Sequence, residues 1–302
     1  MKAALLPDRG VVKVAGDGAR GFLHGLLTAD IQNLKAGEAR FCALLTPQGK
    51  IIADFIVAEA PAQDGGGFFF DTPRALTAAL VEKLNLYKLR AKLIIEDMSD
   101  VLDVLAAWDG GLSGISEGSK RVGLSYADPR TPALGLRVML PPHLAATAAS
   151  SLGATLVDAG EYEAHRIAVG VPQGGLDFRY GDAFPHEADM DQLAGVDFQK
   201  GCYVGQEVVS RMEHRGTART RAVPVRYEGS PPPAGSAIVA GDRQLGQMGS
   251  AAAGFGIALL RLDRVADALS HGEPLTAGGM AIHLVKPDWA RFAFPGESKA
   301  AE

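Results

Sequence analysis

The stretch Lys200–Glu207, KGCYVGQE, places a thiol, an ammonium group, two glycines and a carboxylate within eight residues. Cys202 is one of only two cysteines in the chain. The thiolate is the reactive form of cysteine, and a neighbouring cation or a helix N-terminus favours it. Lys200 would supply the cation, and Gln206–His214 has the spacing of a helix that begins just after the thiol. We therefore predict that Cys202 carries chemistry and that Lys200 activates it.

A cysteine that only fills space is the alternative, because free cysteine is among the residue types most often buried. That interpretation suits Cys42, which lies in an apolar strand pattern. In the stretch around Cys202, by contrast, Gly201 and Gly205 would let the backbone approach a ligand closely. The context therefore favours a functional role for Cys202 and a structural one for Cys42.

Asp54 is the only charged residue in the apolar strand pattern Ile51–Ala58. The alternation of a strand places it on the same face as Ile52 and Ile56. A carboxylate there must be hydrogen-bonded, ion-paired or protonated. It could bind a polar heterocycle or transfer a proton, or it could lie on a wet face of the strand. The pattern leaves both interpretations open.

A glycine- and proline-rich loop follows the predicted helix Glu161–Val169. Arg166 lies near the end of that helix, where a cation is favourable in any case. Long loops of this composition often bind ligands. Farther along, Glu187 could accept hydrogen bonds from amine and ring N–H groups of a ligand, and an ordinary solvated acid is the alternative.

Composition limits the classes of function. A length of 302 residues suits two or three domains, and a net charge of −5 argues against a surface made for nucleic acid. Two cysteines cannot form a disulfide framework, which indicates a reducing compartment. No apolar run reaches the length of a bilayer-spanning helix, and Met1–Arg9 is not a secretory signal. We therefore expect a cytoplasmic protein without a nucleic-acid or membrane partner. Neither the cysteines nor His186 and His214 have metal-ligand spacing, so no metal site is predicted.

The pattern changes near residue 222, where short strand patterns begin to alternate with glycine- and proline-rich turns. Such spacing predicts a small β-barrel. We place a boundary at Arg219–Arg221. The predicted divisions are residues 1–220, residues 221–295, and a polar tail of residues 296–302 that we expect to be disordered.

Several segments, taken in order, resemble the YgfZ-type folate-binding proteins. That family includes mitochondrial iron–sulfur assembly counterparts and is related to the glycine-cleavage T-protein, an aminomethyltransferase. The stretch Lys200–Glu207 resembles the family's signature and carries most of the resemblance. The resembling segments are Phe22–Asp30, Gly49–Asp54, Arg166–Gly170, Pro185–Glu187, Lys200–Glu207, Arg215-Gly216, Gly246–Ser250 and Ala258–Arg261.

The resemblance implies an α+β, T-protein-like fold, with interleaved α+β modules around a central folate pocket and a small C-terminal β-barrel. Asp54 stands in the place of the T-protein's catalytic, folate-contacting aspartate, and Glu187 stands in the pterin-binding position. Tetrahydrofolate is the implied cofactor. The residues expected to bind it are Asp54, Arg166, Glu187, Gly201, Tyr203, Gly205, Gln206 and Glu207.

Two departures from the T-protein pattern bear on the activity. The T-protein has a segment of the Gly-Tyr-Thr-Gly-Glu type where this chain has Ser125–Pro132, SYADPRTP. The T-protein also lacks the signature that contains Cys202. The first difference speaks against transfer of an aminomethyl group from a lipoyl carrier, and the second gives this chain a thiol that the transferase does not need. Because Asp54 is present, folate-linked proton or one-carbon chemistry stays open.

The leading hypothesis is a tetrahydrofolate-binding protein that assists the assembly or repair of iron–sulfur proteins. Cys202 would do thiol chemistry or contact a cluster or client, with Asp54 and Lys200 as the other catalytic candidates. One cysteine cannot hold a cluster alone, so the partners would be iron–sulfur client or assembly proteins as well as folate. We expect a monomer. A folate-dependent aminomethyl or one-carbon transferase with Asp54 as acid/base and a thiol-redox protein are the alternatives, and the sequence leaves open whether the chain is an enzyme.

Overall fold

The computed structural model describes residues 1–110, 122–216 and 218–296, and the chain divides into two compact units. The first unit consists of Met1–Tyr162 and Leu193–Gln206; the second consists of Glu163–Gln192 and the chain from Glu207 onward. These units differ from the predicted divisions, because residues 163–192 and 207–220 group with the C-terminal part. Apart from Gly296, the predicted disordered tail lies outside the described residues.

The first unit is built on two five-stranded sheets. Its elements are β1 (Lys2–Leu5), β2 (Arg9–Ala15), α1 (Ala19–Leu26), β3 (Ala39–Leu45), β4 (Ile51–Glu59), β5 (Phe68–Pro73), α2 (Thr77–Tyr87), β6 (Ile94–Asp97), β7 (Asp103–Trp108), β8 (Leu124–Ala127), β9 (Leu136–Leu140), α3 (Ala145–Ser151), β10 (Thr155–Leu156) and α4 (Ala159–Val169), whose last residues belong to the second unit. One sheet has the order β3-β4-β5-β2-β6 and the other β10-β1-β7-β9-β8, and only the pairing of β1 with β10 is parallel. Strands β3 and β6 are therefore the edges of the first sheet.

The main core of the first unit lies on one face of the sheet β3-β4-β5-β2-β6. Phe55 on β4 and Phe70 on β5 meet there with ring centroids 4.8 Å apart, and Leu23 of α1 and Leu84 of α2 pack on the same cluster. Because side chains alternate along a strand, the residues on either side of Phe55 point to the opposite face. Asp54 is one of these and is 7% exposed.

The second unit contains a closed six-stranded barrel, as the short strand patterns predict. Its elements are α5 (Gln206–Arg215), β11 (Thr220–Tyr227), β12 (Ala237–Ala240), β13 (Arg243–Ala252), β14 (Phe255–Arg261), α6 (Leu262–Ser270), β15 (Thr276–Ala277) and β16 (Met280–Leu284), with the first residue of α5 belonging to the first unit. The strands follow one another around the barrel in the order β11-β14-β13-β12-β15-β16. Among the described residues, no helix has both the length and the apolarity to cross a membrane.

A buried ion-pair network occupies the first unit opposite its main core. Asp71 on β5 is fully buried and accepts hydrogen bonds from Arg9 Nε and from Arg137 on β9, each at 2.6 Å. Arg137 also donates to Asp128 at 3.0 Å, and Arg130 donates to both oxygens of that carboxylate. Every carboxylate in the network therefore has two guanidinium partners.

The network gives the segment Ser125–Pro132 a structural role. Asp128 and Arg130 belong to that segment, and the hydroxyl of Tyr126 donates to Asp71 at 3.3 Å. Burial by itself would raise the pKa of Asp71 and Asp128, but the arginines hold both pKa values below their usual range. The segment that departs from the T-protein pattern thus belongs to the ion-pair network that stabilises the first unit.

Replacing Arg137 with methionine should destabilise the first unit and weaken its acid sensitivity. The variant deprives two buried carboxylates of one partner each, which should lower the free energy of unfolding by about 3 kcal/mol at neutral pH. Carboxyls with a lowered pKa stabilise the folded state above their unfolded pKa of 3.8, and this stability is lost as the pH falls through the lower folded values. Urea unfolding between about pH 5 and pH 2 should therefore show a shallower decline for Arg137→Met.

The matched control is Arg243→Met, which breaks an exposed ion pair with Asp267. Exposed pairs are screened by water and salt, so this variant should unfold much like the wild type. An Arg137→Met protein as stable as the wild type at neutral pH would show that the network does not stabilise the fold.

Candidate functional site

The stretch around Cys202 forms a loop that leads into α5, as the sequence predicts. Cys202 is exposed, whereas the next residue, Tyr203, is buried. The other thiol, Cys42 on β3, is fully buried, and burial raises its pKa far above the usual value. Of the two thiols, only Cys202 can therefore reach another molecule without unfolding. We call residues 197–205 the thiol loop.

Gly205 fixes one end of the thiol loop against the turn between β3 and β4. Its φ angle is +84°, a left-handed conformation that favours glycine. A Cβ atom there would lie 2.6 Å from the carbonyl oxygen of Thr46 and 3.1 Å from the Cα atom of Gly49. The close approach predicted for this glycine thus occurs, but it is to the protein's own hairpin. Gly201, by contrast, is exposed and has open space where a Cβ would lie.

Thr28 and Asp197 fix the start of the thiol loop. The carboxylate of Asp197 accepts the N–H groups of Gln199 and Lys200 at 2.8 and 3.0 Å, and its own N–H donates to the carbonyl of Thr28. The Thr28 hydroxyl donates to the carbonyl of Gly195 at 2.6 Å and accepts the N–H of Ala43, on β3, at 2.9 Å. Leu27 forms a bridge with Leu44 beside it. Sequence reasoning did not identify Asp197, although aspartate two residues before a turn N–H is a common signal.

Lys200 holds the thiol loop to the C-terminal end of α1. Its side chain is buried, and the ammonium group donates to the carbonyl oxygens of His24 and Leu27. These carbonyls end the helix, where a cation is favourable. Burial lowers the pKa of Lys200 to about 8. Lys200 thus has a structural role, which the sequence did not reveal, in anchoring the thiol loop to α1. Activation of Cys202 by this lysine stays a prediction.

Tyr203 lies beneath the exposed thiol residue. Its ring centroid is 5.1 Å from the ammonium nitrogen of Lys200. Burial, assisted by the charge of Asp197, raises the pKa of Tyr203 to about 12. The hydroxyl group is buried and has no hydrogen-bond partner among the described residues. A ligand could therefore supply a hydrogen-bond partner for this hydroxyl.

Asp54 lies on the hairpin against which the thiol loop packs. It is opposite Ala43 in the pairing of β3 with β4. Burial would lower the pKa of Arg9, but the charges of Asp71 and Asp54 keep it above its usual value. Asp54 is therefore a buried carboxylate within the field of the ion-pair network. Its predicted places in catalysis and folate binding stay predictions.

Arg166 lies in the second unit, where its five N–H groups are directed at protein acceptors. The guanidinium donates to Asp177, to the carbonyl of Val171, to Ser250 and, through two nitrogens, to Glu163. The side chain is 1% exposed. Arg166 therefore stabilises this unit, and its predicted part in folate binding stays a prediction.

The remaining predicted residues differ in how much they could offer a ligand. Glu187, in the second unit, is half-buried and accepts the N–H of Phe184 at 2.8 Å through one carboxylate oxygen. Gln206 accepts the N–H of Tyr203 at the start of α5. Glu207 has a side chain that is 83% exposed and forms an ion pair with Arg211. Of these three residues, Glu187 is the one partly buried carboxylate.

A cluster that sequence reasoning missed lies in the second unit. The ligand atoms of His186, Asp191 and Glu213 lie within 4.8 Å of one another. Arg221 already donates to both oxygens of Asp191 and to Asp189, at 2.8–2.9 Å. Because this guanidinium neutralises Asp191, we interpret the group as an ion-pair cluster and assign no metal to it.

Replacing Lys200 with methionine should reveal the buried ammonium through the pH dependence of stability. Two buried carbonyls lose their donor, which should lower the free energy of unfolding by about 2 kcal/mol. With a folded pKa of about 8 and an ordinary value of 10.5, the unfolded chain binds more protons between these values. The wild type should therefore gain stability relative to Lys200→Met as the pH rises through this window. The control Lys35→Met changes an exposed lysine and should show no such trend; a flat difference for Lys200→Met would mean that its ammonium is not desolvated.

Comparison with known proteins adds the family. A family model described as the CAF17 C-terminal β-barrel domain matches residues 219–292. The chain is 33% identical over 298 residues to the "Iron-sulfur cluster assembly factor IBA57 homolog, mitochondrial" of Pyricularia oryzae, covering 90% of this chain and 75% of that protein. It is 29% identical to "Iron-sulfur cluster assembly factor IBA57, mitochondrial" of Homo sapiens, covering 94% and 84%. A Mycosarcoma maydis homologue is 34% identical, and the match spans 77% of this chain and 59% of that protein.

Among solved structures, the glycine cleavage system aminomethyltransferase T from Bartonella henselae has the same fold. The TM-score is 0.73 at 15% identity, and the match covers 97% of this chain and 87% of that one. With the closed barrel, this confirms the predicted T-protein-like α+β fold. The narrower resemblance to YgfZ-type proteins stays a prediction.

The relatives also bear on the cellular location and on the family of the chain. The expected cytoplasmic location is contradicted, because these relatives are named as mitochondrial proteins. The prediction failed because cysteine usage does not distinguish one reducing compartment from another. With 33% identity over three quarters of the Pyricularia oryzae protein, the chain belongs to the family of IBA57 iron–sulfur cluster assembly factors.

Proposed function

We propose that this chain assists the assembly of iron–sulfur proteins and that Cys202 is the residue through which it contacts a cluster or a client. Family membership supports the first part. The observation that carries the second is the position of Cys202, which is exposed on a loop in which Lys200 and Tyr203 are buried. A thiol held in this way is available to a partner without local unfolding.

The thiol loop is suited to holding the Cys202 thiol in one fixed position. Lys200, two residues before the thiol, is anchored to α1, and Gly205, three residues after it, is packed against the β3–β4 turn. One thiolate supplies one of the four ligands that a cluster normally has, so the others must come from a partner protein. In this proposal the cluster is cargo shared between two proteins.

The Cys202→Ala variant should fold normally and lose its function in cells. Its far-UV circular dichroism and melting temperature should match those of the wild type, because the side chain is exposed. Cells that depend on this protein should lose iron–sulfur enzyme activity when they carry only the variant. Native wild-type protein should react with one equivalent of a maleimide, and unfolding should release Cys42 as a second.

A matched variant, Cys202→Ser, separates the sulfur atom from the shape of the side chain. Serine nearly preserves the shape but is a poor ligand for iron, so Cys202→Ser should fail as Cys202→Ala does. Full rescue of enzyme activity by either variant, at equal protein level, would contradict the assignment of Cys202.

We further propose that the protein binds tetrahydrofolate and that Asp54, in the first unit, accepts hydrogen bonds from the pterin. In that unit Asp54 is a buried carboxylate, and Tyr203 has a buried hydroxyl without a partner among the described residues. Glu187, in the second unit, is half-buried and accepts the N–H of Phe184, and its pterin contact is proposed on the resemblance alone. Ionised carboxylates are acceptors only, which suits the amino and ring N–H groups of a pterin.

Binding of tetrahydrofolate to purified protein tests this second part. Hydrogen bonds to charged groups contribute about 1.5–3 kcal/mol, so Asp54→Asn and Glu187→Gln should each weaken the affinity about tenfold or more. Titration calorimetry measures this directly. Cys202→Ala is the control and should bind as tightly as the wild type. Equal affinities for wild type, Asp54→Asn and Glu187→Gln would remove both carboxylates from the proposed folate site and leave the proposal for Cys202 standing.

A further inference from the structure

The end of α2 and the turn into β6 expose three large aliphatic side chains. Leu86, Leu89 and Ile94 are 66%, 85% and 56% exposed. Other apolar residues of α2, such as Leu80 and Leu84, are buried in the main core of the first unit. We call residues 83–94 the α2–β6 corner. Its three exposed side chains lie within nine residues of chain, which is a concentration that monomeric surfaces tend to avoid.

Leu89 is held in a conformation that leucine disfavours. Its φ angle is +48°, and it follows Lys88, the C-cap of α2. Glycine is the usual residue at this position because a Cβ atom crowds the left-handed backbone. Since Leu89 is 85% exposed, its side chain gains little from packing within the chain. Leu89 thus combines a strained backbone conformation with an apolar side chain that is exposed to water. This combination points to a contact with another molecule.

The α2–β6 corner is also basic. Lys83, Lys88, Arg90 and Lys92 are the only charged residues from position 83 to position 95 of a chain with a net charge of −5, although the exposed acids Glu82 and Glu96 flank this stretch. Arg90 and Lys92 are exposed. The ammonium group of Lys88 donates to the carbonyl of Leu93 at 3.3 Å, which holds the turn in place. The surface that meets this corner should therefore be anionic.

The composition of the corner indicates the kind of partner. Protein interfaces are enriched in aromatic residues, methionine and arginine and depleted in lysine, whereas the corner is rich in leucine and lysine. Its one aromatic residue, Tyr87, packs on the main core. Aliphatic side chains surrounded by lysine and arginine are typical of elements that lie in the interface of an anionic bilayer.

We propose that the α2–β6 corner binds the surface of an anionic membrane, with Leu86, Leu89 and Ile94 entering the interface and the cations near the lipid phosphates. Such surface contact needs no bilayer-spanning helix. The proposal goes beyond the role of Cys202 and does not depend on it.

Co-sedimentation with lipid vesicles tests the proposal. The full chain should bind vesicles of equimolar phosphatidylcholine and phosphatidylglycerol at low salt, and should bind pure phosphatidylcholine much more weakly. Each Lys or Arg near an anionic surface contributes about fivefold to binding, so Arg90→Gln/Lys92→Gln should weaken it about twentyfold to thirtyfold. The control Lys35→Gln/Arg264→Gln removes the same charge from exposed residues elsewhere and should lose much less.

Leu89→Gly separates binding from stability. Glycine relieves the strained φ angle, so the melting temperature should be unchanged or higher, while vesicle binding should fall. Val101→Ala, at a residue 54% exposed elsewhere in the first unit, is the control and should bind like the wild type.

The proposal would be overturned by equal binding to both kinds of vesicle, by equal losses in the charge variant and its control, or by undiminished binding of Leu89→Gly. Absence of all vesicle binding would also overturn it and would leave a protein as the partner. Cys202→Ala should bind vesicles normally, so failure of this proposal is distinguishable from failure of the proposed function.

Discussion

The hydrogen bonds from the Lys200 ammonium group to the end of α1 are the contact on which the arrangement of the candidate site depends. They join residues 173 and 176 positions apart, so they tie the thiol loop to the first helix of the chain. Desolvating an ammonium group is costly, and two helix-terminal carbonyls offset this cost because they too need a partner. Cys202 is placed by this contact, since it lies two residues farther along a loop that cannot move independently.

The ion-pair network of the first unit likewise compensates buried charges with partners, and it involves more residues. Burying Asp71 is tolerable only because Arg9 and Arg137 approach it from two other strands. Asp54 lies within the field of this network, so the acid at the centre of the folate hypothesis is part of a balanced set of charges. The carboxylate proposed to bind folate and the structural carboxylates of this unit therefore cannot be treated as independent of each other.

The sequence predicts those features that depend on local patterns. Alternating apolar residues identify β4, glycine-rich turns identify the barrel, and the stretch KGCYVGQE gives the family resemblance that leads to the T-protein-like fold. The role of Lys200 could not be predicted, because its partners are backbone carbonyls and any residue at positions 24 and 27 would supply them. The partners of Arg166 could not be predicted for a related reason. Its guanidinium donates to Glu163, Asp177, Val171 and Ser250, which no local pattern connects.

The bonds around Thr28 have a consequence beyond the placement of the thiol loop. Strand β3 is an edge of its sheet, and edge strands with free N–H and C=O groups tend to pair with other chains. Leu27 and Thr28 occupy that edge by pairing with Leu44 and Ala43. The segment that anchors the thiol loop therefore also covers the edge of β3, which should limit the pairing of this strand with other chains.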